Sequence, residues 1–188
     1  MALKATIYKA TISLADMDRG IYADHALTIA RHPSETDERM MMRVLAFALN
    51  VPASSNDGGL ELAKSLWDPD EPDLWQRDLT GAIVQWIEIG QPDEKRLARA
   101  AGRSGRVLVY SHASSTGIWW AGIATKVTRL RNLEVWQVPA AQSQQLATLV
   151  QRTMHLQLSR QDGTVFVSDA DGKSDPVELT PQQLYPAA

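Results

Sequence analysis

The chain has no cysteine, only two phenylalanines, and no excess of positive charge. The first absence excludes a disulfide framework, a thiolate nucleophile and any cysteine-ligated zinc or iron–sulfur centre. With 19 Lys+Arg against 22 Asp+Glu the net charge is −3, which lacks the basic surplus that usually marks a polyanion-binding protein. Long apolar runs are missing too. The longest, Gly117–Thr125, falls far short of the roughly 18 residues that a membrane span needs. The opening MALKATIYKATISL alternates and has no basic segment followed by an apolar core, so no secretory signal is read there. Together these absences predict a cytoplasmic protein with no membrane partner. What remains, 188 residues with 44% hydrophobic and 22% charged content, suits one ordinary globular domain.

The small net charge conceals a segregation. Residues 54–94 carry ten acidic side chains against Lys64 and Arg77. Residues 95–131 then carry eight basic side chains (Lys95, Arg96, Arg99, Arg103, Arg106, Lys126, Arg129 and Arg131) and no acid. Such neighbouring blocks suit a site that handles a cation and a polyanion together. Equally, the two blocks can neutralise each other or face solvent.

Alternation over Lys4–Ala15, the turn ADMDRG and the extended stretch Ile21–Arg31 predict an antiparallel hairpin. Ser34-Glu35-Thr36-Asp37 has capping-box character and opens a helix to about Leu49, with Glu38, Met41, Met42, Leu45 and Leu49 on one stripe. A shorter helix is expected over Leu60–Leu66, then the acidic turn Asp68–Asp73. The apolar run Ala82–Ile89, a helix begun by Gln91-Pro92-Asp93-Glu94 and the run Arg106–Tyr110 read as a βαβ crossover with parallel strands. A helix near Ser115–Val127, a strand at Leu133–Val138, a helix over about Ala140–Arg152 and a hairpin from Met154 to Ser168 follow, with a polar tail. The expected fold is α/β: a single domain over 1–188, a mixed sheet flanked by helices, and additional hairpins at 3–31 and 153–188.

Three carboxylates stand out. Glu88 ends an apolar strand, where an unpaired charge is costly, and strand carboxyl ends are where α/β sheets place their sites. Asp73 precedes it by fifteen residues, enough for a strand, a turn and a return that would bring both acids to one end of a hairpin. Paired carboxylates relieve their repulsion by sharing a proton or a divalent cation. Glu38 lies on or beside the apolar stripe of the first helix. Each has a structural reading as well: a salt bridge for Glu88, an acidic turn residue for Asp73, and a stripe-edge residue for Glu38.

Pro72-Asp73, Glu88 on the next strand, then a helix and a parallel strand resemble the PD-(D/E)xK (restriction-endonuclease-like) nuclease superfamily. The segments ATIYKATI, EPDLW, WIEIGQPDEKRLARAAGR and VLVYSHA are similar to the bacterial YaeQ family, a variant of that fold, over essentially the whole chain. The resemblance implies a nuclease-like core over about 34–138 and phosphodiester hydrolysis, with Glu38, Asp73 and Glu88 binding Mg²⁺ (or Mn²⁺). It implies a nucleic-acid partner, DNA or RNA, approached by Arg96, Arg99, Arg103 and Arg106. The chain departs from the superfamily pattern at Gly90, which stands where the lysine two residues after Glu88 belongs, leaving Lys95 as the candidate basic group. The alternative is a catalytically inactive module that keeps the fold to bind nucleic acid or protein in a regulatory role.

Overall fold

The computed structural model describes residues 4–64 and 68–186. It is an α/β fold with two mixed sheets and four helices, and the chain divides into two compact units.

The first unit comprises residues 1–49 and 139–181. Its sheet has the order β10-β9-β8-β1-β2, built from β1 (Thr6–Asp16), β2 (Ile21–Arg31), β8 (Thr153–Gln161), β9 (Thr164–Asp169) and β10 (Val177–Leu179). The period-2 pattern of the N-terminal hairpin is realised directly. Tyr8, Ala10, Ile12, Leu14 and Asp16 of β1 are buried, while most of the residues between them are exposed. β1 runs antiparallel to β2 but parallel to β8, so the two terminal hairpins share one sheet. The helix α1 (Asp37–Asn50) and the shorter α4 (Ala140–Ala147) belong with this sheet, and Ile12, Met41, Leu45, Leu146 and Leu156 close around a void of only about 10 Å³. The cap of α1 is Thr36 rather than Ser34: its Oγ1 accepts from Arg39 N at 3.1 Å. Ser34 is bonded to His32 instead. From Met40 to Leu49 α1 is buried on every side, not along one stripe.

The second unit comprises residues 50–138 and 182–188. Its sheet has the order β11-β7-β6-β5-β4-β3, from β3 (Leu60–Leu62), β4 (Leu74–Arg77), β5 (Ile83–Ile89), β6 (Ser104–Ser111), β7 (Leu133–Gln137) and β11 (Gln182–Tyr185). β5, β6 and β7 are parallel, joined by α2 (Glu94–Arg103) and α3 (Thr116–Val127), as the βαβ reading expects. The expected helix over Leu60–Leu66 is a strand at Leu60–Leu62 whose pairing with β4 overrides a locally helix-forming sequence; the end of that stretch, with Trp67, lies outside the described residues. β3, β4 and β5 therefore form an antiparallel meander ahead of the crossover. Trp86, Val107, Val109, Leu133 and Val135 share one face of the sheet and pack with Leu97 and Ala100 of α2 and Val127 of α3.

α2 starts where its sequence says it should. Asp93 adopts extended backbone and its carboxylate accepts from Arg96 N at 2.8 Å. Asp93→Ala is expected to lower stability by about 1 kcal/mol, read as a small drop in melting temperature.

Candidate functional site

The β4–β5 register decides where the two central carboxylates sit. Leu74 faces Ile87 as the last pair of the ladder at this end, and just before it Asp73 N also donates to Ile87 O at 3.0 Å. Glu88, two residues from Trp86 on β5, shares its sheet face, the one that α2 covers. Both acids are 4% exposed. Asp73 Oδ2 accepts from Ile89 N at 2.7 Å, which locks this carboxylate against the end of β5.

Glu88 is held by two donors at one oxygen. Its Oε1 accepts from Trp86 Nε1 at 2.7 Å and from Arg96 Nε at 2.6 Å. The same guanidinium donates to Pro69 O at 3.2 Å and to Glu71 O at 2.7 Å, so Arg96 ties the acidic turn to the end of β5. Burial pushes the Glu88 carboxyl above its ordinary range and neighbouring Asp73 adds to this, while Arg96 and Trp86 oppose it. Glu71, which precedes Pro72, leaves its buried Oε2 without a hydrogen-bond partner among the described residues.

The remaining candidates are distributed differently from the sequence expectation. Glu38 lies in the first unit, half-buried, and accepts from Ser143 Oγ of α4 at 2.5 Å; Asp73 and Glu88 lie in the second. Lys95 is exposed, and it is the next residue, Arg96, that reaches Glu88. Position 90 has φ +115°, a backbone region that side-chain-bearing residues rarely enter, so a lysine there would be strained even though space is open. Sequence spacing showed that the lysine was missing; only the backbone shows why the position resists one.

Four of the eight cations of the basic block pair with the acidic block. Arg96 pairs with Glu88, Arg99 and Arg103 approach Asp70 at 3.9 and 3.2 Å, and Lys126 approaches Glu94 at 3.7 Å. Arg106 instead makes a bidentate pair with Glu134 at 2.7 and 2.9 Å. Lys95, Arg129 and Arg131 are exposed and form no ion pair among the described residues. Among the described tryptophans, Trp86 is core, and Trp75 meets it edge-on while carrying Arg77 at 3.8 Å over its ring. Trp119 donates to Pro92 O.

These residues do not, as arranged, fit a divalent cation. No group of three or more His, Asp or Glu among the described residues is placed to hold a metal ion. Glu88 already receives a guanidinium and an indole N–H at one oxygen, so Arg96 stands where a shared cation would relieve the Asp73–Glu88 repulsion. Among the described residues no helix is long and apolar enough to cross a membrane.

The YaeQ family model matches residues 1–177. The YaeQ protein of Salmonella typhi is 42% identical over 184 residues, covering 97% of this chain and 98% of that protein. The YaeQ protein of Escherichia coli K12 is 41% identical over the same length. Among solved structures, the YaeQ protein of Xanthomonas axonopodis pv. citri is similar with a TM-score of 0.87 and 42% identity, covering 96% of this chain and 98% of that one. That of Pseudomonas syringae gives a TM-score of 0.86 at 36% identity, covering 96% of each chain.

Proposed function

The chain belongs to the YaeQ family, and from that premise we propose a non-hydrolytic module that keeps a nuclease-like chain order and acts by binding nucleic acid or protein in a regulatory role. The observation that carries this reading is Arg96 on Glu88 at 2.6 Å, an internal cation on the carboxylate that hydrolysis would give to a metal. Gly90 supports it, because the group that would steady an attacking water is missing and its backbone disfavours a replacement. The order of α1, β3, β4, β5, α2 and β6 is compatible with the PD-(D/E)xK resemblance and supplies the nuclease-like part of the reading.

One observation favours a second reading. Asp73, immediately before β4, lies near enough to Glu88 at the end of β5 for its charge to act on that carboxyl, the proximity that a Mg²⁺- or Mn²⁺-dependent phosphodiesterase would require. Incubating the purified chain and Asp73→Ala with plasmid DNA and structured RNA, each with Mg²⁺ or Mn²⁺, separates the two. The expected result is no cleavage that depends on Asp73. Nicking by the parent chain that disappears in Asp73→Ala would establish the hydrolase. Fluorescence anisotropy with labelled DNA and RNA then tests binding. If nucleic acid is the partner, reversing Lys95, Arg129 and Arg131 to glutamate should weaken it at least tenfold and flatten its salt dependence.

A further inference from the structure

β2 is an edge strand of eleven residues with few of the devices that usually keep such an edge from pairing. It contains no proline and no lysine, and its register with β1 runs unbroken from Thr6 opposite Arg31 to Asp16 opposite Ile21. The direction of its backbone groups follows from β1. Lys9 N donates to Arg152 O and Met17 N to Arg160 O, each at 2.9 Å, so odd-numbered residues of β1 address β8. Even-numbered ones address β2, and their partners there are Ile21, Ala23, His25, Leu27 and Ile29. The N–H and C=O groups of Tyr22, Asp24, Ala26 and Thr28 therefore point off the sheet, and all four residues are exposed. Among the described residues, only the next such carbonyl, that of Ala30, is taken, by Arg43 at 3.0 Å.

We propose that this edge is a homodimer interface in which β2 pairs antiparallel with β2 of a second copy, with Ala26 on the two-fold axis. A two-fold axis normal to the sheet matches even-numbered residues with even-numbered ones, which keeps faces in register and joins the unpaired backbone groups. Centring on Asp24 would oppose two carboxylates, and centring on His25 would leave them diagonal at about 7–8 Å. Centring on Ala26 sets Thr28 opposite the second copy's Asp24. Lys9 lies beside Thr28 on β1, so one row across the interface reads Lys9, Thr28, Asp24. Lys9 and Asp24 are both exposed and enter no ion pair among the described residues. The same register produces a row of Ile7, Ala30 and the second copy's Tyr22. Ile7 and Tyr22 are 46% and 67% exposed, and the small alanine between them lets the two side chains meet. At the axis stand only Thr11 and Ala26 with their mates. One register thus pairs the outward backbone groups of Asp24, Ala26 and Thr28, joins an unpaired cation to an unpaired anion, and covers two exposed apolar side chains, each twice by symmetry. That self-complementarity favours a second copy over an unrelated extended peptide.

Light scattering and sedimentation of the full chain are expected to show a species of twice the chain mass. Ala26→Pro removes only an outward N–H, leaves the β1–β2 bonds intact, and is expected to yield a monomer with unchanged circular dichroism. Asp24→Lys and Lys9→Asp should each weaken dimerisation at least tenfold, and the double exchange should restore it. Because the chain has no cysteine, Ala26→Cys provides a single thiol on the axis. Its Cα would face its mate at about 5.5 Å, within the roughly 4.4–6.8 Å that a disulfide spans. Mild oxidation should cross-link it, and should not cross-link Thr11→Cys, one strand further in. A chain that stays monomeric at all concentrations overturns the proposal, as does a dimer that survives Ala26→Pro or whose Ala26→Cys form fails to cross-link. Should Ala26→Pro misfold, failure of the double charge exchange to restore association overturns it equally.

Discussion

Arg43→Met is expected to destabilise the protein by about 3–5 kcal/mol, which for a chain of this size lowers the melting temperature by roughly 10 °C or more. The guanidinium of Arg43 is 1% exposed and makes two parallel bonds to Glu35, Nε to Oε1 at 2.9 Å and Nη2 to Oε2 at 2.7 Å. Nη2 also donates to the Ala30 carbonyl of β2, and Arg39 adds a contact to Glu35 Oε1 at 3.1 Å. Removing the arginine leaves a carboxylate that is itself almost wholly buried with half its partners gone. The penalty is mostly that stranded charge, and less the net worth of the pair. A double variant, Arg43→Met with Glu35→Leu, removes both charges and should recover most of the loss. Equal melting temperatures for single and double variants would show that packing around Arg43, and not the stranded carboxylate, sets the cost.

Arg96→Met is expected to cost about 1.5–3 kcal/mol near neutral pH, less than Arg43→Met because the Arg96 side chain is 28% exposed. It also carries a pH signature. The Glu88 carboxyl is already pushed above its ordinary value by burial, and by Asp73, against the pull of Arg96. A carboxyl whose folded pKa is raised stabilises the fold most at pH below its unfolded value, and that contribution is lost as pH rises through the folded value. Without Arg96 the folded value rises further and the loss at neutral pH grows. The deficit of Arg96→Met relative to the parent should therefore shrink as pH falls into the carboxylate range, where Glu88 is protonated in both. Adding Glu88→Gln to Arg96→Met should reduce the neutral-pH deficit and flatten its pH dependence. A deficit independent of pH would mean that Arg96 acts only through its bonds to Pro69 and Glu71.

Much of this was legible because it depends on local periodicity. The alternation of residues 4–31 predicted the first hairpin, and the apolar runs on either side of a capped helix predicted the parallel β5–α2–β6 unit. The fifteen residues from Asp73 to Glu88 suit a strand, a turn and a return, and that spacing brings the two acids near each other. Elements whose stability comes from a neighbour were harder to read. β3 has a helix-forming sequence and becomes a strand only by pairing with β4. β10 and β11 lie in a tail that looked merely polar, and each is a short edge strand made by pairing with β9 or β7.

Side-chain pattern along the chain suffices for the fold class and the family, and it singles out Asp73 and Glu88 as candidates. Tertiary structure alone decided how the charges are used. The adjacent acidic and basic blocks suggested a cation and a polyanion, yet folding brings Arg96 to Glu88 and Arg103 to Asp70. Linear order shows which charges are near in sequence but not which will meet, and burying Glu88 makes an internal partner worth more than a solvated one. The same holds for Gly90, whose positive φ is a property of how β5 ends, and for the unpaired edge of β2, which exists only because the sheet ends there.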